Sequence, residues 1–539
     1  MSANKQFKHT ETIYRLAVSS VAAVLTAGFL GVSVPAMAQN QAGNNPDNSE
    51  ALDTEFRPDD AQVRVALIGA FHDDPGVTAD DINVQVENNI ATLTGTVDSI
   101  LEKDRAERLV LSVEGVRSVV NRLEIKATTM SDLSIERHVE NALATDPVTE
   151  SWTIDVGVDE GDVYLEGTVA SAAEKRIVEK ITKGVRGVRE VTNDIMIEYE
   201  EARPDPEIEQ EVDAVLTYDV LIDADNIEVS VENNVATLSG TVPTAAEKKR
   251  AISTAYVANL DRVVAEDLKV AERGMLPKES ETSEHTEMSA MEVQKAVEMA
   301  MFHDPRVSSF NITPDVDEGV VTLTGMVDNV KAKRVAAMNA RNTEGVWRVK
   351  NNINVRPDER SDLQVLTSVR NAIERDPYLD DDEVGVRVND GKVILSGDVS
   401  SYYDKAQADD AAAKVKGVAS VENNLRVASD TDALTYDPLV DDAWYPYDYS
   451  WYTASSIQST FKPDWEIEQD IEEQLQWSVL VDANDIDVEV DNGTATLSGD
   501  VENWTEWNAA REKAFNAGAI AVTNDVEVAY GPEQLSPTQ

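Results

Sequence analysis

Along this chain the spacing of apolar residues switches between a helical and a strand period in one fixed order. Val63, Ala66, Leu67, Ala70 and Phe71 fall on one face of a helix whose first turn Asp59 or Asp60 can cap. Two alternating segments follow, meeting at Asn88-Asn89, and then a charged amphipathic stretch from Glu102 to Val113 predicts a second helix. A last alternating segment, Val119-Val120-Asn121, follows Gly115-Val116. The predicted unit is therefore helix, strand, strand, helix, strand. At about 65 to 75 residues it is near the lower size limit for a domain that folds alone.

The unit recurs six times. Val86-Glu87-Asn88-Asn89-Ile90-Ala91-Thr92-Leu93-Thr94-Gly95-Thr96-Val97 returns as Val231-Glu232-Asn233-Asn234-Val235-Ala236-Thr237-Leu238-Ser239-Gly240-Thr241-Val242, and less closely around Gly167, Gly325, Gly397 and Gly499. The turn pairs Asn88-Asn89, Glu160-Gly161, Asn233-Asn234, Glu318-Gly319, Asp390-Gly391 and Asn492-Gly493 suit tight hairpins that demand positive φ. Gly187, Gly345, Gly417 and Gly518 match Gly115, whereas the third unit has Asn259 there, the residue that best shares a left-handed conformation with glycine.

These signals give an α+β fold class of six tandem modules, each a small mixed sheet covered on one face by two helices. The expected modules span 59–127, 131–199, 204–272, 289–357, 360–428 and 463–531, with linkers at 39–58 and 273–288, an insertion at 429–462 and a tail at 532–539. Pro204-Asp205-Pro206-Glu207-Ile208-Glu209-Gln210 matches Pro463-Asp464-Trp465-Glu466-Ile467-Glu468-Gln469, and Phe71-His72-Asp73 matches Phe302-His303-Asp304. That order reads as a three-module block duplicated once.

The run of aspartate-rich loop, Val-x-Val strand, turn, Leu-Thr/Ser-Gly-x-Val, charged helix and Gly-Val-x-x-Val-x-Asn resembles the BON domain family over roughly residues 60 to 530. The resemblance implies bacterial envelope proteins that respond to osmotic or envelope stress, contact phospholipid or chaperone other envelope proteins, and have no known catalytic site. Six copies, rather than the family's usual two, set this chain apart, and it lacks the lipidation cysteine of some relatives.

The N-terminus carries Lys5, Lys8 and Arg15, an apolar run from Leu16 to about Val34, and Ala36-Met37-Ala38. This order predicts a secretory signal cut after Ala38, against the alternative of a membrane anchor. A periplasmic location is expected, with secretion as the alternative. There is no cysteine, hence no disulfide or thiolate site. Removing 1–38 leaves 44 basic and 100 acidic residues, a net charge near −56 against −54 for the whole chain. Such a field repels nucleic acid and anionic lipid.

Chemical candidates are few. Gly95, Gly167, Gly240, Gly325, Gly397 and Gly499 stand singly in strands, which favours close helix packing or a bulge over phosphate cradling. Asp73-Asp74, Asp223-Ala224-Asp225, Asp380-Asp381-Asp382 and Asp482-Ala483-Asn484-Asp485 lack the spacing of a calcium loop and read as capping residues, with weak, diffuse divalent binding left open. His72 and His303 read as helix-end residues. No nucleophile, base and orienting group can be assembled, so an enzyme, a cofactor and a small-molecule substrate are not expected.

The exception is the aromatic, acidic insertion, with Trp444, Tyr445, Tyr447, Tyr449, Trp451 and Tyr452 as candidate partner-binding residues. Folding back onto Trp477, Trp504 and Trp507 is the competing expectation. Expected partners are envelope proteins or a phospholipid surface reached through divalent cations, with no nucleic acid. A structural spacer in the envelope is the further alternative.

Overall fold

In the computed structural model the described residues run from 58 to 528, apart from 75, 127–129, 150–151, 200–202, 258, 272–287, 309, 358–359, 380–383, 401, 428–461, 502 and 520. The signal, and the insertion apart from Lys462, therefore lie outside them.

Module 1 shows how the pattern becomes structure. Its first helix, α1 (Asp60–Asp73), starts at Asp59, whose carboxylate accepts the amides of Ala61 and Gln62 while the Gln62 side chain accepts the Asp59 amide. Strands β1 (Ile82–Glu87) and β2 (Ile90–Val97) pair antiparallel, and Asn88 and Asn89 turn between them at φ 53° and 63°. The second helix, α2 (Ile100–Leu111), is capped by Ser99 and carries the chain over to β3 (Ser118–Ile125), which pairs parallel to β2. Strand order is β1-β2-β3, with β2 central. Both helices cover one face, where Val63, Leu67, Phe71, Leu93, Val110 and Leu123 are almost wholly buried. Full burial of each such side chain contributes about 1.5–3 kcal/mol.

Five more copies follow with the same order, though the third strand of modules 2 and 6 is interrupted. Each has its own core. Among the described residues the cores touch at the margin, where Val330 and Val355 of module 4 pack with that of module 5 and Trp477 of module 6 packs against that of module 1.

Two features tie each unit together beyond its core. Asp60 does not cap α1; its carboxylate accepts the amides of Asn88 and Asn89 at 2.8 and 2.9 Å. Asp132, Asp205, Asp362 and Asp464 hold the other hairpin turns likewise, whereas module 4 has Ala290 there. At the other end of the first helix Asp74, Asp146, Asp219, Asp304, Asp376 and Ser478 each accept the amide two residues on. The helix therefore stops within one or two residues of the same acceptor in every copy.

The modules are not strung in a line. The amide of Glu114 donates to Trp477 across modules 1 and 6, and that of Glu344 donates to Tyr218 across modules 4 and 3. The same bond joins modules 2 and 5 in both directions, from Arg186 to Arg375 and from Lys416 to Thr145. Short antiparallel bridges, Val113 with Ser478 and Asp219 with Thr343, complete two of these junctions.

A second contact set lies between the second helices. Asp104 meets Lys183 of module 2, Arg176 donates to the Ser253 carbonyl of module 3, and Lys249 meets Glu107 of module 1. All three begin from one module position and close a ring after three steps. From the same position Arg334 of module 4 reaches Asp409 of module 5. The pairing 1–6, 2–5, 3–4, together with the ring of modules 1, 2 and 3, folds the array back on itself. It lends no support to an extended spacer, since the first and last modules are bonded.

Candidate functional site

The hairpin-turn end of each module carries a feature that recurs for a simple geometric reason. In α1, Val63, Leu67 and Phe71 face the core, and the first residue, Asp60, turns to the hairpin. The next residue lies about 200° around the helix from the first core position, so it must face water. That place is held by Leu133, Met291, Leu363 and Trp465 in modules 2, 4, 5 and 6, with exposures of 75, 78, 71 and 66%. Ala61 and Pro206 stand there, exposed, in the other two modules.

A large apolar side chain two residues before the first core valine or isoleucine is out of phase with its helix. No internal packing calls for it, and an exposed apolar group recurs at this one position in four modules. The sequence reading, directed at the insertion, passed over it. The signal was present as Asp132-Leu133, Asp362-Leu363 and Asp464-Trp465, an acid that holds the turn followed by an apolar residue out of phase. Further apolar exposure lies on the sheets at Tyr164 and Met326.

The candidates read from the sequence fall as follows. Trp444, Tyr445, Tyr447, Tyr449, Trp451 and Tyr452 lie outside the described residues, as do Asp380 to Asp382. Trp477 packs on the core of module 1 and the Trp507 indole donates to the Val526 carbonyl. All six motif glycines have positive φ, from 123° to 150°. At Gly95, Gly240 and Gly499 an added Cβ would stand 2.0, 2.0 and 1.9 Å from the carbonyl oxygen of Asp81, Asn226 or Asp485. Approach of a backbone carbonyl, rather than helix packing or a bulge, is what requires glycine there.

The acidic clusters work inside the fold. Asp74 is buried and paired with Arg105 at 2.6 Å, while Asp223 and Asp482 cap the short turns that follow them. Among the described residues no group of three or more acidic or histidine side chains could hold a metal ion. His303 ends its helix and contacts Glu211 of module 3 at 2.7 Å. Among the described residues no helix is long and apolar enough to cross a membrane.

The BON domain family model matches residues 59–127, 131–199, 204–272, 289–357, 361–429 and 463–530. The chain belongs to the BON domain family. It is 28% identical over 187 residues to osmotically-inducible protein Y of Escherichia coli, an alignment covering 33% of this chain and 92% of that protein. It is also 27% identical over 128 residues to an uncharacterized protein in the gshII 5' region of Anaplasma centrale, covering 23% of this chain and 85% of that one. Among solved structures, CdsD, a structural protein of the type III secretion system of Chlamydia trachomatis, aligns at 14% identity over 39% of this chain and 92% of that one, with a TM-score of 0.12.

Proposed function

We propose that this BON-repeat protein is exported to the bacterial periplasm and works there without catalysis, protecting other envelope proteins during osmotic or envelope stress. The observation that carries this reading is the recurrence of Leu133, Met291, Leu363 and Trp465 at one exposed position. Apolar side chains at fixed places on separate modules can engage several segments of one unfolded client. Avidity then replaces the affinity that a single exposed side chain lacks. The acidic surface keeps such complexes soluble. The signal-like N-terminus and the similarity to osmotically-inducible protein Y support the location and the stress setting.

The test is an aggregation assay with an unfolded envelope protein. The native chain suppresses light scattering, and the variant with Leu133, Met291, Leu363 and Trp465 all replaced by Ser loses most of that effect while melting at the same temperature. Equal protection by native chain and variant would overturn the reading.

A second reading, peripheral phospholipid contact, is favoured by the same exposed side chains and opposed by the charge. Flotation with liposomes separates the two. Binding that needs magnesium would be cation bridging to lipid, and no binding with or without it leaves proteins as the partners.

A further inference from the structure

Modules 1 to 5 line an open cavity of about 750 Å³ where the second helices of modules 1 to 3 face the junctions with modules 4 and 5. Its volume suits a single small ligand. Its charge differs sharply from the rest of the molecule. The chain has 47 Lys and Arg against 101 Asp and Glu, yet the wall has 11 basic residues and 7 acidic ones. Counting also Asp74 and Asp410, the buried carboxylates that pair with Arg105 and Lys331, the basic groups still outnumber the acidic.

Two arginines in the wall are held without a direct carboxylate partner among the described residues. Arg176 donates to the Ser253 carbonyl and lies 4.9 Å from the centre of the Tyr256 ring. Arg375 donates to Asn141 and Thr145, at 3.2 and 3.5 Å. A part-buried guanidinium whose hydrogen-bond partners are neutral bears a desolvation cost that those partners do not fully offset. Burial accordingly pulls the pKa of Arg375 down to about 10, against the pull of Asp146 and Asp376. An anion in the cavity relieves that cost, and the guanidinium fork matches two oxygens of a phosphate or a carboxylate group.

We propose that this cavity is a binding site for a small, soluble polyanion bearing two or more phosphate or carboxylate groups, held by Arg176 and Arg375. The volume suits a small ligand, and the acidic exterior selects against polymeric anions such as nucleic acid. The ligand bridges modules 2 and 5, because Arg176 belongs to one and Arg375 to the other. Binding therefore also strengthens the junction between modules 2 and 5. This site is independent of the exposed apolar positions, so it stands whether or not the protein protects clients.

The experiment is calorimetric titration of the full mature chain with sodium pyrophosphate and, separately, sodium citrate, with sodium chloride at matched ionic strength as the blank. The expected result is saturable one-to-one binding of at least one probe, with a raised melting temperature. The tighter probe identifies the anionic group. Arg176→Gln, at a part-buried position, is expected to weaken binding tenfold or more, and any loss of the Ser253 contact is read separately from the melting temperature of the unliganded protein. Lys269→Gln, on the exterior, is expected to leave binding unchanged. No saturable heat with either probe, or native affinity retained in Arg176→Gln and Arg375→Gln, would overturn the assignment.

Discussion

The methyl group that Gly95 lacks would sit 2.0 Å from the carbonyl oxygen of Asp81, at a φ of 124°. Gly95→Ala therefore combines a steric clash with backbone strain, and a loss of about 3 kcal/mol or more in module 1 is expected. Hydrogen exchange read by mass spectrometry should show faster exchange across 60–125 and native protection in modules 2 to 5. A uniform change, or none, would refute the local account.

Glu247 makes a second prediction at this scale. Burial, reinforced by Asp223 and Asp219, pushes its carboxyl up to about 8, although it accepts the Asp223 amide at 2.8 Å. The fold thus favours the protonated form. Its contribution to stability is complete below the unfolded value near 4.5 and is lost as the pH rises towards 8. Glu247→Gln keeps an acceptor for the amide and removes the charge. It should stabilise the protein at pH 8 by on the order of 1–2 kcal/mol and leave it unchanged at pH 4. Denaturation at both pH values checks this, and a variant less stable at pH 8 would contradict it.

Some of these residues were legible in advance and some were not. The left-handed place of Asn259, at φ 68°, follows from its alignment with glycines and from the chemistry of asparagine. The cause of the strand glycines did not follow, because a carbonyl arriving from the preceding turn leaves no periodic trace in the strand itself.

At the scale of elements, the second residue of each first helix shows how periodicity informs and misleads. The core positions Val63, Leu67 and Phe71 announce the helix. An apolar residue out of phase with them adds noise to the pattern and is easily discounted, although it is the one facing water. The preceding aspartate was equally ambiguous, since a cap and a turn clamp use the same side chain.

The clamp is testable in both directions. Asp132→Ala leaves the amides of Glu160 and Gly161 without their acceptor and should cost about 1–2 kcal/mol. Ala290→Asp in module 4 supplies the missing clamp and should stabilise that module by a fraction of this. Module-resolved hydrogen exchange reports both changes. Destabilisation by Ala290→Asp would show that the turn of module 4, where the Trp347 indole donates to the Glu318 carbonyl, excludes a carboxylate.

For the whole molecule, the number and kind of modules could be read from repetition alone, and their pairing could not. A repeat shows that six cores will form, because each copy carries its own apolar set. It does not show which copies touch, since junctions such as Glu114 with Trp477 are backbone bonds that almost any side chain permits. The block duplication held the clue. If modules 3 and 4 meet, the equivalent junction of modules 6 and 1 must form as well, and it does.

The absence of cysteine allows a clean test of this closure. Val113 and Ser478 face each other in a narrow antiparallel bridge, flanked by bonds from Glu114 to Trp477 and from Val479 to Ser112. Cα atoms in such a pair lie within disulfide range, at about 4.5 Å. In the double variant Val113→Cys, Ser478→Cys, mild oxidation is predicted to give one intramolecular disulfide, with faster migration on a non-reducing gel and the 113–478 peptide pair in the mass spectrum. Free thiols after oxidation, or disulfide-linked dimers only, would contradict the pairing of the first and last modules.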